Sequence, residues 1–225
     1  MLYFRVGTQV LFDSPRHFYE LWRFVMKIFI SHAKEDAALA GQWKDLLTDL
    51  SAGFIDVWYS SDLSPGGGMP GGVEWRSSLI KHLKESRAVI AIVTRQSMFR
   101  PWIYWECGVA AGTDQERLIF PVCYDVAISK VPGPLNGYQV FNGQDGNDVR
   151  RICQQLLAIG KGDARISDKV FNTLISDYLR NVAQILAGSA QKSTLVVEHI
   201  YSFDLHKGYV NDIVWVSDDC RKFAS

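Results

Sequence analysis

The segment Pro101 to Gly112, PWIYWECGVAAG, carries the residues best suited to chemistry. Trp102 and Glu106 are four positions apart, so on a helix of 3.6 residues per turn they share one face, which Trp105 borders. This spacing predicts a carboxylate beside indole surface, where it can offset positive charge next to a ring that can stack on another flat ring. Two purely structural roles stay open as well: tryptophans at helical spacing often belong to the core, and a glutamate near a helix start often stabilises the helix dipole.

Predicted strands and helices alternate along the chain, which is typical of a parallel sheet covered by helices. The helix that would hold this segment follows the predicted central strand. Strands are predicted at 27–31, 54–59, 88–94, 118–123 and 138–141, and helices at 36–50, 73–86, 102–112, 148–159 and 166–186. The almost continuous apolar run at 88–94 is typical of a central parallel strand. The sequence therefore predicts an α/β fold, a flavodoxin-like five-stranded parallel sheet with helices on both faces. Ligands of such sheets bind at the carboxyl ends of the strands.

The chain is expected to contain four segments. They are an N-terminal extension over 1–25, the α/β domain over 26–160, a helical linker over 161–190 and a β segment over 191–225. Met26 stands directly before the first strand and is an alternative start to Met1. The helix at 166–186 either packs on its own domain or serves as a linker or self-association helix, and a non-helical linker is predicted at 188–193.

The last residues, 201–225, change to short apolar strands separated by turn residues. They resemble the opening strands of a WD-repeat blade. One blade cannot bury its faces, because propellers need about four to eight blades. We therefore interpret the chain either as the front of a longer protein with a C-terminal sensor or as a truncated reading frame.

Composition excludes several classes of function. Lys plus Arg and Asp plus Glu each number 24 of 225 residues, so the net charge of zero lacks the basic footprint of a nucleic-acid binder. No apolar run reaches the roughly 18 residues that a membrane helix needs, and no signal-peptide core is present. The cysteines lack CxxC spacing, which argues against a zinc site or a disulfide framework. We predict no metal, nucleic-acid or membrane partner, and a cytoplasmic location. The cysteines are Cys107, Cys123, Cys153 and Cys220.

Five short motifs follow one another along the α/β segment. They are FISHAKED, WYSSD, EWR, IVTRQS and WIYWECG. In this order they resemble the Toll/interleukin-1 receptor (TIR) domain, especially its bacterial members, over about residues 27–159. Trp102 to Glu106 is similar to the W-x-x-x-E pattern that carries the glutamate of NAD-cleaving TIR domains, whereas scaffold-type members often lack that glutamate. The resemblance implies an NAD+ glycohydrolase with Glu106 as its catalytic residue and NAD+ as substrate rather than resident cofactor.

The chemistry of NAD+ explains why one carboxylate would suffice. Nicotinamide leaves a cationic pyridinium as a neutral base, so it needs no proton from a general acid. Glu106 would offset the positive charge of the oxocarbenium-like transition state or hold the ribose hydroxyls. A contact of this kind supplies about 2.7 to 4 kcal/mol, so its removal should slow cleavage roughly a hundredfold to a thousandfold.

The resemblance also implies a cleft lined by the ends of the first two strands and by the glycine-rich loop that follows. In this chain the lining residues would be Ser31, His32, Trp58, Ser61 and Asp62, with Trp102 available to stack on a flat ring. Trp75 is expected to anchor its helix to the sheet.

Each of these polar residues also has a possible structural role. Ser31 and His32 could form a turn that caps the next helix, and Ser61 and Asp62 could be turn residues bonded to their own backbone. The loop itself, SPGGGMPGG, is denser in glycine than the family pattern and costly to order, so we expect it to stay open until an assembly partner closes it. A phosphate-binding P-loop is a poor alternative, since no Gly-Lys-Ser/Thr follows.

Three functions compete. The first is a TIR enzyme that cleaves NAD+ to nicotinamide and ADP-ribose or a cyclic form, is activated by self-association and acts in signalling or antiphage defence. The second is a noncatalytic TIR adaptor that binds other TIR domains. The third is a related flavodoxin-like hydrolase that removes bases from nucleotides or nucleosides.

Overall fold

A computed structural model of the chain describes residues 25–65, 67–69, 72, 74–113, 117–161 and 166–204, together with four two-residue strands. Arg5–Val6 pairs antiparallel with Gln9–Val10, and Val214–Trp215 pairs antiparallel with Lys222–Phe223. The rest of the predicted extension and of the segment beyond residue 204 lies outside the described residues. The resemblance of that last segment to a WD-repeat blade therefore stays a prediction.

Five parallel strands form the central sheet. They are β1 (Met26–Ser31), β2 (Ile55–Trp58), β3 (Ala88–Val93), β4 (Leu118–Cys123) and β5 (Phe141–Asn142). The spatial order is β2-β1-β3-β4-β5, which confirms the predicted flavodoxin-like sheet. The direction of winding reverses between β1 and β3, and this switch point is where open α/β sheets bind their ligands.

Five α-helices connect and follow the strands in the part of the chain that is described. They are α1 (Ala37–Ser51), α2 (Trp75–Glu85), α3 (Pro101–Thr113), α4 (Gly146–Lys161) and α5 (Asp168–Asp204). The first four agree with the predicted helices to within two residues at each end. Proline opens α3 because its missing N–H would have had no partner inside the helix.

Two apolar layers cover the two faces of the sheet. α1, α4 and α5 pack on one face, and α2 and α3 pack on the other. Because side chains alternate along a strand, Ile28 and Ile30 of β1 face α1 while Phe29 faces α2 and α3. The same alternation directs Ser31 toward α3 and His32 toward the α1 side.

The C-terminal helix differs from its prediction. α5 continues from Asp168 to Asp204, so the non-helical linker predicted at 188–193 is wrong and residues 191–204 are helical rather than β. The physical reason is that Gly188 costs only about 1 kcal/mol relative to alanine inside a helix, and no proline follows it before the helix ends at Asp204. The first half of α5 packs on the domain through Phe171, Ile175, Tyr178 and Val182.

A buried chain of hydrogen bonds also joins α5 to the domain. Trp43 Nε1 of α1 donates to the Tyr124 hydroxyl, 2.6 Å away, at the end of β4. The hydroxyls of Tyr124 and Tyr178 are 2.6 Å apart. Buried polar groups need such partners, so the three residues lock α1, β4 and α5 together.

Candidate functional site

Glu106 lies on α3 beside the carboxyl end of β1. It is only 3% exposed. Its Oε2 accepts a hydrogen bond from Ser31 Oγ, and its Oε1 accepts one from Trp102 Nε1 at 2.6 Å. The structure thus brings three of the predicted site residues together at the switch point of the sheet, and both carboxylate oxygens already have donors from this chain.

The surroundings of Glu106 change its acidity. Burial raises the pKa of Glu106 from 4.5 to about 7, although the hydrogen bonds from Ser31 and Trp102 favour the ionised form. A carboxyl group with this pKa exchanges its proton near neutral pH. Strongly perturbed carboxyls next to strand ends are candidates for functional groups.

Three indole rings pack beside this carboxyl. The ring centroids of Trp75 and Trp102 are 4.3 Å apart, and those of Trp102 and Trp105 are 4.5 Å apart. We call these three residues the tryptophan stack. The expectation that Trp75 anchors α2 to the sheet is wrong, because Trp75 is 44% exposed and packs on Trp102. It is the first residue of α2, one turn before the buried Leu79.

Trp58, at the end of β2, lies on the same face of the sheet as Glu106. Its ring packs on Phe29 at 5.2 Å and stacks on the imidazole of His82 at 4.1 Å. Burial lowers the pKa of His82. Trp58 and His82 line a cavity of about 370 Å³ at the edge of β2, and Glu106 does not line it.

His32 and Ser61 contact each other rather than Glu106. His32 Nε2 is 2.6 Å from Ser61 Oγ, and His32 Nδ1 is 3.4 Å from the carbonyl oxygen of Ile30. Burial lowers the pKa of His32, which favours the neutral imidazole. This pair ties the end of β1 to the start of the glycine-rich loop.

Asp62 holds the loop to α1. Its Oδ2 accepts from Lys44 Nζ at 2.5 Å, and its Oδ1 accepts from the backbone N–H of Ser64 at 2.9 Å. Burial raises the pKa of Asp62, but the hydrogen bonds from Lys44 and Ser64 outweigh it, so the pKa lies below its ordinary value. The local bond to Ser64 agrees with a turn residue, and the bond to Lys44 adds a partner that the sequence did not reveal.

In the described part of the loop, the backbone folds back on itself, and the expectation that the loop stays open until an assembly partner closes it stays a prediction. The backbone N–H of Met69 donates to the carbonyl oxygen of Ser60 at 3.2 Å. Gly68 has a φ of +63°, and a Cβ there would collide with the carbonyl oxygen of Asp62. Glycine is therefore required at this position for the chain to pass so close to its own backbone.

Sequence reasoning missed a second buried carboxylate near the switch point. Asp36 accepts hydrogen bonds from Thr94 Oγ1 at 3.2 Å, and Ser97 lies beside the same hydroxyl at 3.0 Å. Burial raises the pKa of Asp36. These hydrogen bonds connect the segment after β1 with the segment after β3. The polar residues of IVTRQS, directly after the central strand, were the available signal.

Neither a metal site nor a membrane-spanning helix is found among the described residues. Their side chains include no group of three or more His, Cys, Asp or Glu placed to hold a metal ion. Within the same part of the chain, no helix is long and apolar enough to cross a membrane.

Comparisons with known proteins identify the family. The family model described as "TIR_2: TIR domain" matches residues 28–157. A search of curated proteins found no match. Among solved structures, the chain is similar to one titled "Structure of the activated Roq1 resistosome directly recognizing the pathogen effector XopQ (TIR domains)". The identity is 18%, the match covers 72% of this chain and 98% of that chain, and the TM-score is 0.38. The matched residues make up more than half of this chain, so the chain belongs to the TIR domain family.

Proposed function

We propose that this TIR domain cleaves the bond between nicotinamide and ribose in NAD+, releasing nicotinamide and ADP-ribose or a cyclic form. The observation that carries the proposal is the buried carboxyl of Glu106, held between the Ser31 hydroxyl and the Trp102 indole at the switch point. The family contains both NAD-cleaving and noncatalytic members. The W-x-x-x-E pattern of Trp102 and Glu106 resembles the NAD-cleaving ones.

The charge of Glu106 suits this reaction. When the glycosidic bond breaks, its electron pair moves to the ring nitrogen of nicotinamide, and the ribose carbon becomes positive. The ionised carboxylate, shielded from water, stabilises that charge more strongly than an exposed one would. Water then adds to the ribose carbon and loses a proton. A bound pyridinium also favours the ionised form of Glu106, so binding lowers the pKa of this carboxyl.

The other candidate residues take different parts in the proposal. Trp58 and Trp102, on the face of Glu106, are proposed to stack on the flat rings of the substrate. His32, Ser61 and Asp62 are bonded within the chain, so we propose that they shape the cleft by holding the loop.

Self-association is part of the proposal, as the family resemblance implies. Leu63 is 98% exposed on the loop after β2, and Phe99 is 73% exposed on the segment after β3. Large exposed apolar side chains favour a contact surface. We propose that assembly activates the enzyme in the cytoplasm, for signalling or antiphage defence, under the control of a C-terminal sensor.

Nicotinamide release from NAD+ by the purified full chain tests the proposal, under conditions that promote assembly. Glu106→Gln should reduce the rate about a hundredfold to a thousandfold, because it removes the charge while keeping the side-chain size. The matched control is Glu85→Gln, an exposed carboxylate paired with Lys27. The wild-type kcat/KM, which reports the free enzyme, should rise with pH through about 7 as Glu106 ionises.

Equal nicotinamide release by the wild type and Glu106→Gln would reject the proposed role of this carboxylate. Absence of release from every variant, together with binding to other TIR domains, would favour the adaptor. Faster release of bases from nucleosides than from NAD+ would favour the third function.

A further inference from the structure

Trp102, the middle ring of the tryptophan stack, donates a hydrogen bond to the carboxyl that the proposed function needs. We propose that Trp75 is a positioning residue that holds Trp102 on Glu106 and thereby controls access of the substrate to the carboxylate. This inference rests on the proposed function for its consequence, but its structural content can be tested without any activity.

A group that covers Glu106 must move before a ribose can reach the carboxylate, because the residue is only 3% exposed. The two side chains that donate hydrogen bonds to it are Ser31 and Trp102. Ser31 is fully buried and belongs to β1, which pairs with strands on both sides. Trp102 is only partly buried and is the second residue of α3. The movable donor is therefore Trp102.

Two rings oppose the movement of Trp102. Trp105 belongs to the same helix as Trp102, so the contact between these two rings lies within α3. Trp75 comes from α2, and its ring lies 4.3 Å from that of Trp102 with an angle of 30° between the planes. Because Trp75 is 44% exposed, it contributes little to the core, and its main described contact is this ring.

The position of Trp75 links this contact to the glycine-rich loop. Glu74, at the end of the loop, caps α2 by accepting hydrogen bonds from the backbone N–H groups of Arg76 at 3.2 Å and Ser77 at 2.7 Å. The cap makes Trp75 part of a stiff first turn. A displacement of the loop end is thus passed to Trp75, and from Trp75 to the indole that covers Glu106.

Hydrogen exchange of the Trp102 indole N–H tests the inference directly. In the full chain labelled with nitrogen-15 at tryptophan, Trp102→Phe identifies the signal. Trp75→Ala should speed exchange of that N–H about 3- to 10-fold, the factor expected from losing one aromatic pair. Trp75→Phe keeps a ring and should retain most of the protection. Tyr138→Ala, which removes another aromatic side chain of similar exposure, 38%, should leave the exchange unchanged.

Unchanged exchange in a folded Trp75→Ala protein would overturn the inference. If that variant does not fold, Trp75→Leu keeps apolar bulk without a flat ring and gives the same comparison. Faster exchange at every indole, rather than at Trp102, would also overturn it, because that result indicates general loosening.

Kinetics separate this inference from the proposed function. Trp75→Ala should lower the KM for NAD+ by about the factor by which exchange of the Trp102 N–H speeds up, because a larger fraction of the protein is then competent to bind. The kcat should stay within about twofold of the wild-type value, because Glu106 is unchanged. Faster exchange without nicotinamide release from any variant would support the positioning role and reject NAD+ cleavage. Normal NAD+ cleavage with unchanged exchange would reject the positioning role and leave the proposed function standing.

Discussion

Replacement of Glu106 by Gln should make the protein more stable, and increasingly so as the pH rises. In the folded chain the carboxyl holds its proton up to about pH 7, whereas in the unfolded chain it loses the proton near its ordinary pKa of 4.5. Between these values the folded state binds more protons, so the wild type loses stability as the pH increases. Glutamine keeps the shape and does not ionise; its amide oxygen can accept from Trp102 Nε1, and its amide nitrogen can donate to Ser31 Oγ in place of the bond that Glu106 accepts there.

The size of the effect follows from the two pKa values. Each pH unit between the two pKa values changes the free energy of unfolding of the wild type by about 1.36 kcal/mol. The free energy of unfolding of Glu106→Gln should therefore exceed that of the wild type by about 1 kcal/mol at pH 5 and by about 3 kcal/mol at pH 8. This is a large part of the roughly 5 to 15 kcal/mol that stabilises a typical domain. A functional carboxylate would thus be kept at a cost to stability.

Urea unfolding between pH 5 and pH 8, followed by circular dichroism, measures this difference. Glu85→Gln is the control with the opposite sign, because the hydrogen bond from Lys27 holds the pKa of Glu85 below its ordinary value and stabilises the fold above the unfolded-state pKa. That variant should be slightly less stable than the wild type at pH 8.

A difference between the wild type and Glu106→Gln that stays the same from pH 5 to pH 8 would refute the reasoning. It would mean that Glu106 titrates alike in the folded and unfolded chains and so is not shielded from water. A destabilised Glu106→Gln at pH 8 would refute it as well, since the charge would then be well paired.

Two further predictions concern the loop and the last helix. Gly68 and Gly72 both have positive φ, but only a Cβ at Gly68 would collide with the carbonyl oxygen of Asp62. Gly68→Ala should therefore lower the free energy of unfolding by about 1 to 3 kcal/mol more than Gly72→Ala does. Equal losses in urea would contradict the close approach of Gly68 to the carbonyl oxygen of Asp62. Tyr178→Phe should cost about 1 kcal/mol, because the Tyr124 hydroxyl loses one of its two partners. Unaltered thermal unfolding would show that α5 is not held by this contact.

Much of the fold could be predicted because its signals are local. The apolar run of β3 and the spacing of α3 depend on neighbouring residues only, and both elements have nearly the predicted ends. The length of α5 could not be predicted, because Gly188 is a weak helix breaker whose effect depends on the residues after it.

Some contacts of the candidate site could likewise be predicted from local spacing, whereas others depend on the fold. Trp102 and Glu106 share a helix face, so their contact follows from spacing. Ser31 and His32 are adjacent in sequence, yet only Ser31 contacts Glu106, because adjacent residues of a strand point to opposite faces of the sheet. Which helix covers which face depends on the fold of the whole sheet and could not be predicted from these two residues. Trp75 lies on the stripe of α2 that carries Leu79, and only the position of α2 against the sheet shows that it extends to Trp102.

The amino-acid sequence alone determined the order of strands and helices, the pairing of an indole with a carboxylate one helical turn away, and the motifs of the TIR family. Tertiary structure decided that Glu106 is buried, that its pKa lies near 7 and that Trp75 packs on the indole covering it. The physical reason is the range of the interactions. Helix and strand signals act between residues a few positions apart, whereas removal of water from a carboxyl depends on groups contributed by β1, α2 and α3 together.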